Sequence, residues 1–595
     1  MNTSERTIKY VYSKSTTSHI SDLSQVEWDK VERYVRKLQQ RIFNAERQGN
    51  HRKVRDLQRL LIRSKSALLL SIKQVTQNNK GKRTSGVDGY KALTPKERTN
   101  LYNKMVKETI VYHKPKPAKR VYIEKKNGKL RPLGIPTIKD RVYQNIIKLA
   151  LEPQWEFKFE PTSYGFRPKR SAHDSIEAIF NKLAPKKKQW IFEGDFKGCF
   201  DNLNHDYILE QLGDFPGKDI IKQWLKAGFV DHKVFNTTEN GTPQGGIISP
   251  LLANIALHGL EEAVGVKYYK YKRKGVEEIE NRGSVSVIRY ADDFVIICEK
   301  KEEAEGMYDK LKPYLKDRGL ELASEKTKIV HISEGFDFLG FNVRSYKDTD
   351  NKTKLLIKPS KESIKKFKAK VKDTFKESHG KNVDHLINKL NPIIRGTANY
   401  WKTTCSSEIF SSMDSYIFGK IVKFLKRLHP TKSWKWKVKR YFYSDVTGQS
   451  KNKWILTDPN NKHRQLQQMG WTNIERHTLI KMNNSPFNKE LEEYFFKRDI
   501  KEFNKNNIKS RQKMVKFQDY KCYLCGCQLV DGKEGTEIHH KVPKSRGGKD
   551  DIKNLALVHI SCHTEFHRIY PIKGAIPTIK DVLRNRKKLR VITGR

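Results

Sequence analysis

Apolar residues near the start of the chain fall at helical spacing: Trp28, Val31, Val35, Leu38 and Ile42, then Val54, Leu57, Leu60 and Leu61 beyond a break at Gly49-Asn50. Residues three and four apart share one stripe of an α-helix, so the pattern predicts two core-facing helices between positions 25 and 75, after a polar, frayed stretch over 1–24. Further along the period shortens. Residues 284–290 and 294–298 are short runs rich in β-branched side chains, and three residues join them, which predicts a β-hairpin. A third apolar run, Trp190-Ile191-Phe192-Glu193-Gly194-Asp195, reads as a strand ending in an acid. Ser249-Pro250 ahead of an apolar segment reads as an N-cap with proline in the first helical turn. Residues 358–442 are again helical in pattern, and rich in lysine.

Asp292 and Asp293 fall at the tip of the predicted hairpin. Adjacent carboxylates on a tight turn repel one another unless a cation holds them there. Hard oxygen ligands suit Mg²⁺, although a polar Asp turn is the plainer alternative. Asp195 at a strand end beside that hairpin would complete a carboxylate set; by itself it reads equally as a cap or turn residue. Two metals about 3.5–4 Å apart can activate an attacking oxygen and stabilise a leaving one in phosphoryl displacement. Between these acids lies Thr242-Pro243-Gln244-Gly245-Gly246, whose glycine pair permits a close backbone approach of the kind a base pair or sugar needs.

Asp195, then Pro243-Gln244-Gly245-Gly246 with its helix, then Tyr290-Ala291-Asp292-Asp293, in this order, resemble the palm of a reverse transcriptase. The segments 120–141 and 161–174 look like the fingers of group II intron reverse transcriptases, and 319–328 and 335–341 continue the match. The resemblance implies that Asp195, Asp292 and Asp293 bind two Mg²⁺ ions. It implies that Lys125 (or the adjacent Lys126) and Arg131 contact the incoming triphosphate, and Gln244 the nucleotide sugar or base. Phe200 matches the aromatic that closes the pocket against a 2′-hydroxyl; a core phenylalanine is the alternative.

Composition then narrows the partner. Lys and Arg total 119 against 67 acids, a formal charge of +52 over 595 residues. A soluble surface ordinarily mixes signs, so this excess implies a polyanion. The longest apolar stretch near the N-terminus, at 67–72, is far short of the roughly 20 residues of a membrane span. No apolar signal-peptide core follows Met1. Nucleic acid is therefore the expected partner, and a membrane is not. Four of the seven cysteines lie between 522 and 562, which points to metal in a reducing compartment.

Cys522 and Cys525, and His559 and Cys562, form two pairs with two intervening residues each, the pattern of a tetrahedral structural zinc site. His539-His540, Asn554, His563 and His567 lie within or just beyond that frame, and the spacing resembles an HNH endonuclease of the ββα-metal type. Two departures stand out: His559 replaces a cysteine, and His539 stands where an acid often precedes the catalytic histidine. The resemblance implies His540 as general base and His539, His563 and His567 as holders of one divalent ion. Asn554 would orient the His540 loop, and Cys527 would be a spectator. A purely structural zinc knuckle that binds DNA without cutting it is the alternative.

The expected fold class is multidomain α+β: a right-hand reverse transcriptase with fingers, palm sheet and helical thumb, plus a ββα-metal domain. Expected boundaries are 1–79 for an N-terminal helical extension, 80–345 for fingers and palm, and 346–445 for a thumb resembling the maturase X domain. A DNA-binding region or linker would span 446–514 and the HNH domain 515–595. Within the thumb, Trp434 and Trp436 interleaved with lysines suit base stacking, though core packing is the favoured reading. The resemblance implies a group II intron-encoded protein with polymerase, maturase and endonuclease activities. Its partners would be intron RNA held as a lariat ribonucleoprotein, target DNA and dNTPs, in bacterial cytoplasm or an organelle. The competing readings are an RNA-binding splicing factor with an inactive polymerase fold, and another bacterial reverse transcriptase. All three acids are present, which disfavours the first; the basic thumb and HNH module disfavour the second.

Overall fold

The computed structural model describes residues 23, 26–124, 128, 130–273, 276–347 and 352–569. Packing divides the chain into two units, each assembled from separated stretches. One comprises Met1–Lys158, Phe200–Ala256 and Ser485–Arg595; the other comprises Phe159–Cys199 and Leu257–Asn484.

The first unit begins with three helices where the pattern predicted two: Trp28–Arg47, His51–Ile62 and Lys65–Lys73. The added break is a capping event, because the Ser64 hydroxyl accepts the Ala67 N–H and starts a new helix. Val35, Leu38, Ile42, Val54, Leu57 and Leu61 are buried as the stripe requires, whereas Leu60 faces solvent. These helices pack on the long helix Ile138–Lys158. Four strands form a sheet in the order Leu130–Ile135, Ala118–Glu124, Phe229–Asp231, Val234–Asn236, with the second and third parallel. Toward the C-terminus the stretch read as a DNA-binding region or linker, 446–514, contains the helix Glu492–Asn506 and the start of a second, Lys509–Phe517, which runs on into the expected HNH domain. Strands Thr536–His540 and Leu555–His559 then pair antiparallel and lead into the helix Ile560–Ile569, a ββα unit.

The second unit is built on an antiparallel sheet ordered Lys328–His331, Trp190–Asp195, Asp293–Cys298, Ser286–Tyr290. Phe294 to Cys298 are all buried, so both sheet faces are covered and the strand reads as a continuous apolar run. Ile191, Ile288, Val295 and Ile297 share one core with helices Lys361–Glu377, Val383–Trp401 and Ser407–Leu428. Trp434 and Trp436, on the helix Trp434–Tyr441, are partly buried against that core. Among the described residues no helix is long and apolar enough to cross a membrane.

Candidate active sites

The second unit carries the three aspartates. Asp195 lies directly across from Asp293 in the sheet, and Asp293 in turn faces Tyr290 in the next strand. Side chains at opposed positions of antiparallel strands stand about 4.5–5.5 Å apart at Cβ, so the register alone sets two carboxylates side by side. The hairpin turn is Ala291-Asp292, one residue shorter than the pattern predicted, because Asp293 joins the strand. Ala291 has φ +58°, a left-handed conformation that costs a residue with a Cβ about 1–2 kcal/mol. Its carbonyl accepts a 3.1 Å bond from Nη1 of Arg289, itself buried at 1% exposure.

Asp293 reaches solvent at its edge, yet its packed surroundings, then the Asp292 and Asp195 carboxylates, push it up to about 6, with Lys326 opposing. Lys326 pairs with Oδ2 of Asp195. Crowded carboxylates that already recruit a cation, and that offer hard oxygen donors, fit divalent metal. Among the described residues, two other clusters bring three or more metal-ligand atoms within 4.8 Å of one another; the palm aspartates, with Lys326 on Asp195, do not.

Gly165 explains how the turn is held. The backbone of 162–165 runs alongside Arg289: Tyr164 N–H donates to the Arg289 carbonyl at 2.9 Å, and Arg289 N–H to the Thr162 carbonyl at 3.1 Å. A Cβ on Gly165 would lie 2.2 Å from the amide nitrogen of Ala291. Gly165→Ala must therefore displace the aspartate turn. A shift of about 1 Å at a catalytic centre can cost about 10²-fold, so primer extension should fall by that order, together with a destabilisation of about 1–3 kcal/mol from the backbone overlap. Wild-type extension by Gly165→Ala would mean that the approach of Gly165 to Ala291 does not set the aspartate turn.

Arg131, Phe200 and Gln244, expected from the sequence to meet the nucleotide, lie in the first unit. Arg131 donates through Nε to Oε1 of Gln244 at 2.8 Å, so two residues 113 positions apart form one polar pair. Gln244 also lies 3.4 Å from the Asp201 carboxylate. Phe200 is buried at 9% exposure, beside the Gly241-Thr242 backbone. Lys125, with Lys126, lies outside the described residues. The close approach permitted by the glycine pair is made to protein: a Cβ on Gly245, at φ +130°, would sit 2.6 Å from the Gly134 carbonyl oxygen. Gly134 N–H donates to the Gln244 carbonyl at 2.8 Å, which seats Gln244 beside the Arg131 strand. Ser249 is the first residue of the helix Ser249–Ala256, and its hydroxyl donates to the Pro243 carbonyl at 2.9 Å instead of capping the helix.

The C-terminal ββα unit holds two further clusters. His539, His563 and His567 place ligand nitrogens within 4.8 Å of one another, with Nε2 of His563 and His567 3.1 Å apart. Burial, then the neighbouring imidazoles, drives His539 down to about 3, so it is neutral and offers a lone pair to a cation. Glu537 accepts from Nδ1 of His563 at 2.6 Å, fixing the ring with Nε2 toward the cluster. His540 bonds through Nε2 to Asp550 at 2.7 Å. Asn554 accepts from Val542 N–H at 2.8 Å and donates to the Val542 and Lys549 carbonyls at 3.0 and 2.9 Å, closing the loop that carries Asp550.

Cys522, Cys525, His559 and Cys562 form the second cluster, again within 4.8 Å, with His559 Nδ1 3.4 Å from the Cys525 sulfur. Burial opposes the charged His559 ring, but bonds to Cys522 and Cys525 outweigh it and raise the ring to about 11. Soft sulfurs and one imidazole in fourfold arrangement fit zinc. Cys527 is outside the cluster; its sulfur faces the Cys525 carbonyl at 3.8 Å.

Gly165, Arg289, Lys326, Glu537 and Asp550 were not singled out from the sequence as site residues. Gly165, Arg289 and Lys326 fall within the segments 161–174, 284–290 and 319–328, while Glu537 and Asp550 carry no spacing signal.

Four family profiles match the chain. "Reverse transcriptase (RNA-dependent DNA polymerase)" matches residues 123–343, and "N-terminal domain of reverse transcriptase" 24–105. "Group II intron, maturase-specific domain" matches 364–442, and "HNH endonuclease" 522–568. Protein YkfC of Escherichia coli is 34% identical over 313 residues, 48% of this chain and 82% of that protein. The group II intron-encoded protein LtrA of Lactococcus lactis is 33% identical over 326 residues, 45% of this chain, and the match spans about half (53%) of LtrA's length. Maturase-like protein 1 of Euglena gracilis is 28% identical over 381 residues, 63% of this chain and 76% of that protein.

Proposed function

We propose, from the premise that this chain belongs to the group II intron-encoded reverse transcriptases, that it copies its own intron RNA into DNA, assists that RNA's splicing, and nicks target DNA. The observation that carries the reading is the sheet register that sets Asp195 against Asp293 beside the Asp292 turn.

In this reading Asp195, Asp292 and Asp293 would hold two Mg²⁺ ions, with the metal charge taking the place of the Lys326 ammonium on Asp195. The metals supply activation of the primer 3′-hydroxyl and stabilisation of the leaving pyrophosphate. Arg131 and Lys125 neutralise the incoming triphosphate, and Gln244, oriented by its bond to Arg131, meets the sugar or base. Phe200, packed beside Gly241-Thr242, closes the pocket floor. The maturase-specific segment binds intron RNA, and the protein stays with the excised lariat.

In the ββα unit His540 takes a proton from water as general base. Asp550 bonded to its Nε2 sets the ring orientation. His539, His563 and His567 hold one divalent ion, while the Cys522, Cys525, His559, Cys562 set holds zinc. The nick exposes a 3′-hydroxyl that primes reverse transcription.

The test is electrostatic and chemical together. Affinity for intron RNA should fall steeply between 50 and 200 mM salt, by roughly 10³–10⁵ if the contacts resemble 6–10 phosphates on duplex DNA. The same preparation should extend a primer annealed to that RNA in Mg²⁺. A flat salt titration, or RNA binding without any extension, would contradict the proposal.

A further inference from the structure

The hydrolytic cluster leaves one neighbouring feature unused. A cavity of about 250 Å³ opens between the helix Lys509–Phe517, the zinc-binding segment and the loop that follows His540. Its volume falls below the roughly 300 Å³ at which sites for drug-sized ligands begin, yet one planar ring can enter. Phe517, Tyr523 and Ile552 give it apolar walls; Lys521 and Lys541 give it positive charge that exceeds the single acid in its lining, Asp519. Phe517 is 78% exposed, a large aromatic left in water at the cavity mouth.

That exposure is built in. The Gln518 side chain pairs with the backbone of Leu557 in both directions, donating to its carbonyl at 2.9 Å and accepting its N–H at 2.7 Å. Asp519 and Tyr520 then take φ of +50° and +60°, two consecutive left-handed residues with side chains. Such strain persists where surrounding structure over-determines it, and it concentrates at ligand sites. The end of the helix is thereby fixed to the ββα sheet with the Phe517 ring outward. On the far side, Lys541 follows His540 in the chain, lies 5.0 Å over the Tyr523 ring and donates to the Lys553 carbonyl. Ile552 sits between Asp550, which bonds His540, and Asn554, which closes the loop. One loop therefore serves both the histidine and the cavity.

We propose that this cavity takes a single unstacked base of a DNA strand against the Phe517 ring, with Lys521 and Lys541 on the flanking phosphates. An aromatic face accepts any base, and paired lysines answer the backbone charge. The occupant is DNA because the cavity shares its loop with His540; this step rests on the reading of that residue as the base for DNA nicking. The site holds one strand open beside the phosphate to be cut.

The full-length protein, retaining its bound zinc, should be irradiated with a DNA duplex carrying a short unpaired bubble with 5-iodouracil in it, with no Mg²⁺ or other divalent ion added. A crosslink is expected at Phe517 in the wild type and should be lost in Phe517→Ala. Affinity for the bubble duplex should fall about five- to hundredfold in Phe517→Ala and recover in Phe517→Trp. Affinity for the fully paired duplex and zinc content should not change. Crosslinks mapping elsewhere, or wild-type bubble affinity in Phe517→Ala, would overturn the proposal. Equal crosslinking to the corresponding RNA bubble would overturn its assignment to DNA. Nicking is scored separately: a wild-type protein that never nicks DNA refutes the nuclease reading, while the crosslink still decides the cavity.

Discussion

Primer extension is expected to fall at least about a thousandfold in Asp292→Ala and in Asp195→Ala, while affinity for intron RNA and splicing assistance stay close to wild type. Metal ions at such a centre supply several kcal/mol of transition-state stabilisation, and each 1.36 kcal/mol is a factor of ten in rate. Loss of one of the three carboxylates should therefore cost three decades or more. The fold has no reason to suffer. Asp293 is pushed up to about 6 by its packed surroundings and by its acidic neighbours, so removing either neighbour relieves repulsion in the metal-free protein. RNA binding draws on a different resource, the 119 Lys and Arg residues spread along the chain. Extension, RNA affinity and melting temperature measured on one preparation decide the matter. If RNA affinity or splicing assistance collapses along with extension in a protein that melts normally, the carboxylates are structural elements of the RNA site, and the separation of roles is wrong.

Some of this architecture was legible because the sequence carries period and spacing. The two β-branched runs around 284–298 and their short connection gave the hairpin, and the order of acid, glycine pair and second acid gave the palm. The paired Cys/His spacing gave the Cys522, Cys525, His559, Cys562 cluster. What stayed hidden depends on contacts between distant segments. Gly165 reads as a loop glycine until the chain brings it against Ala291. Gly245 needs its missing side chain because of Gly134, a strand residue more than a hundred positions away. Lys326 is one lysine among many, and only the fold sets it on Asp195. The third N-terminal helix was missed for a local reason: Ser64 interrupts an apolar stripe too short to show a phase change. Leu60 was misread with it, since a stripe counted by spacing admits one residue too many at its edge.

Two substitutions within the ββα unit should fail in different ways. His540→Ala is expected to slow nicking of DNA by about 10²–10⁴, the usual worth of a general base. The domain should stay folded, since His540 belongs to neither metal cluster, and Asn554 closes its loop through bonds to Val542 and Lys549 that do not involve the ring. Cys562→Ala should instead unfold the region around the knuckle. Its apolar core is small, and Cys522 and Cys562 are themselves buried members of it beside Val515, Leu529, Leu557 and Val558. A core of that size contributes little against chain entropy, whereas zinc binding in comparable small domains is worth roughly 10–16 kcal/mol. Without zinc the strand Leu555–His559 loses its anchor, and the helix bearing His563 and His567 loses its seat. Nicking should vanish together with stoichiometric zinc. Primer extension should persist in both variants, because the knuckle's apolar core, from Phe503 to Cys562, includes neither the aspartates nor Arg131, Phe200 and Gln244. Zinc content, nicking and extension on the same samples separate the cases. Wild-type nicking by His540→Ala removes it as the base. Full zinc and full nicking in Cys562→Ala would mean that a different set of atoms holds the metal.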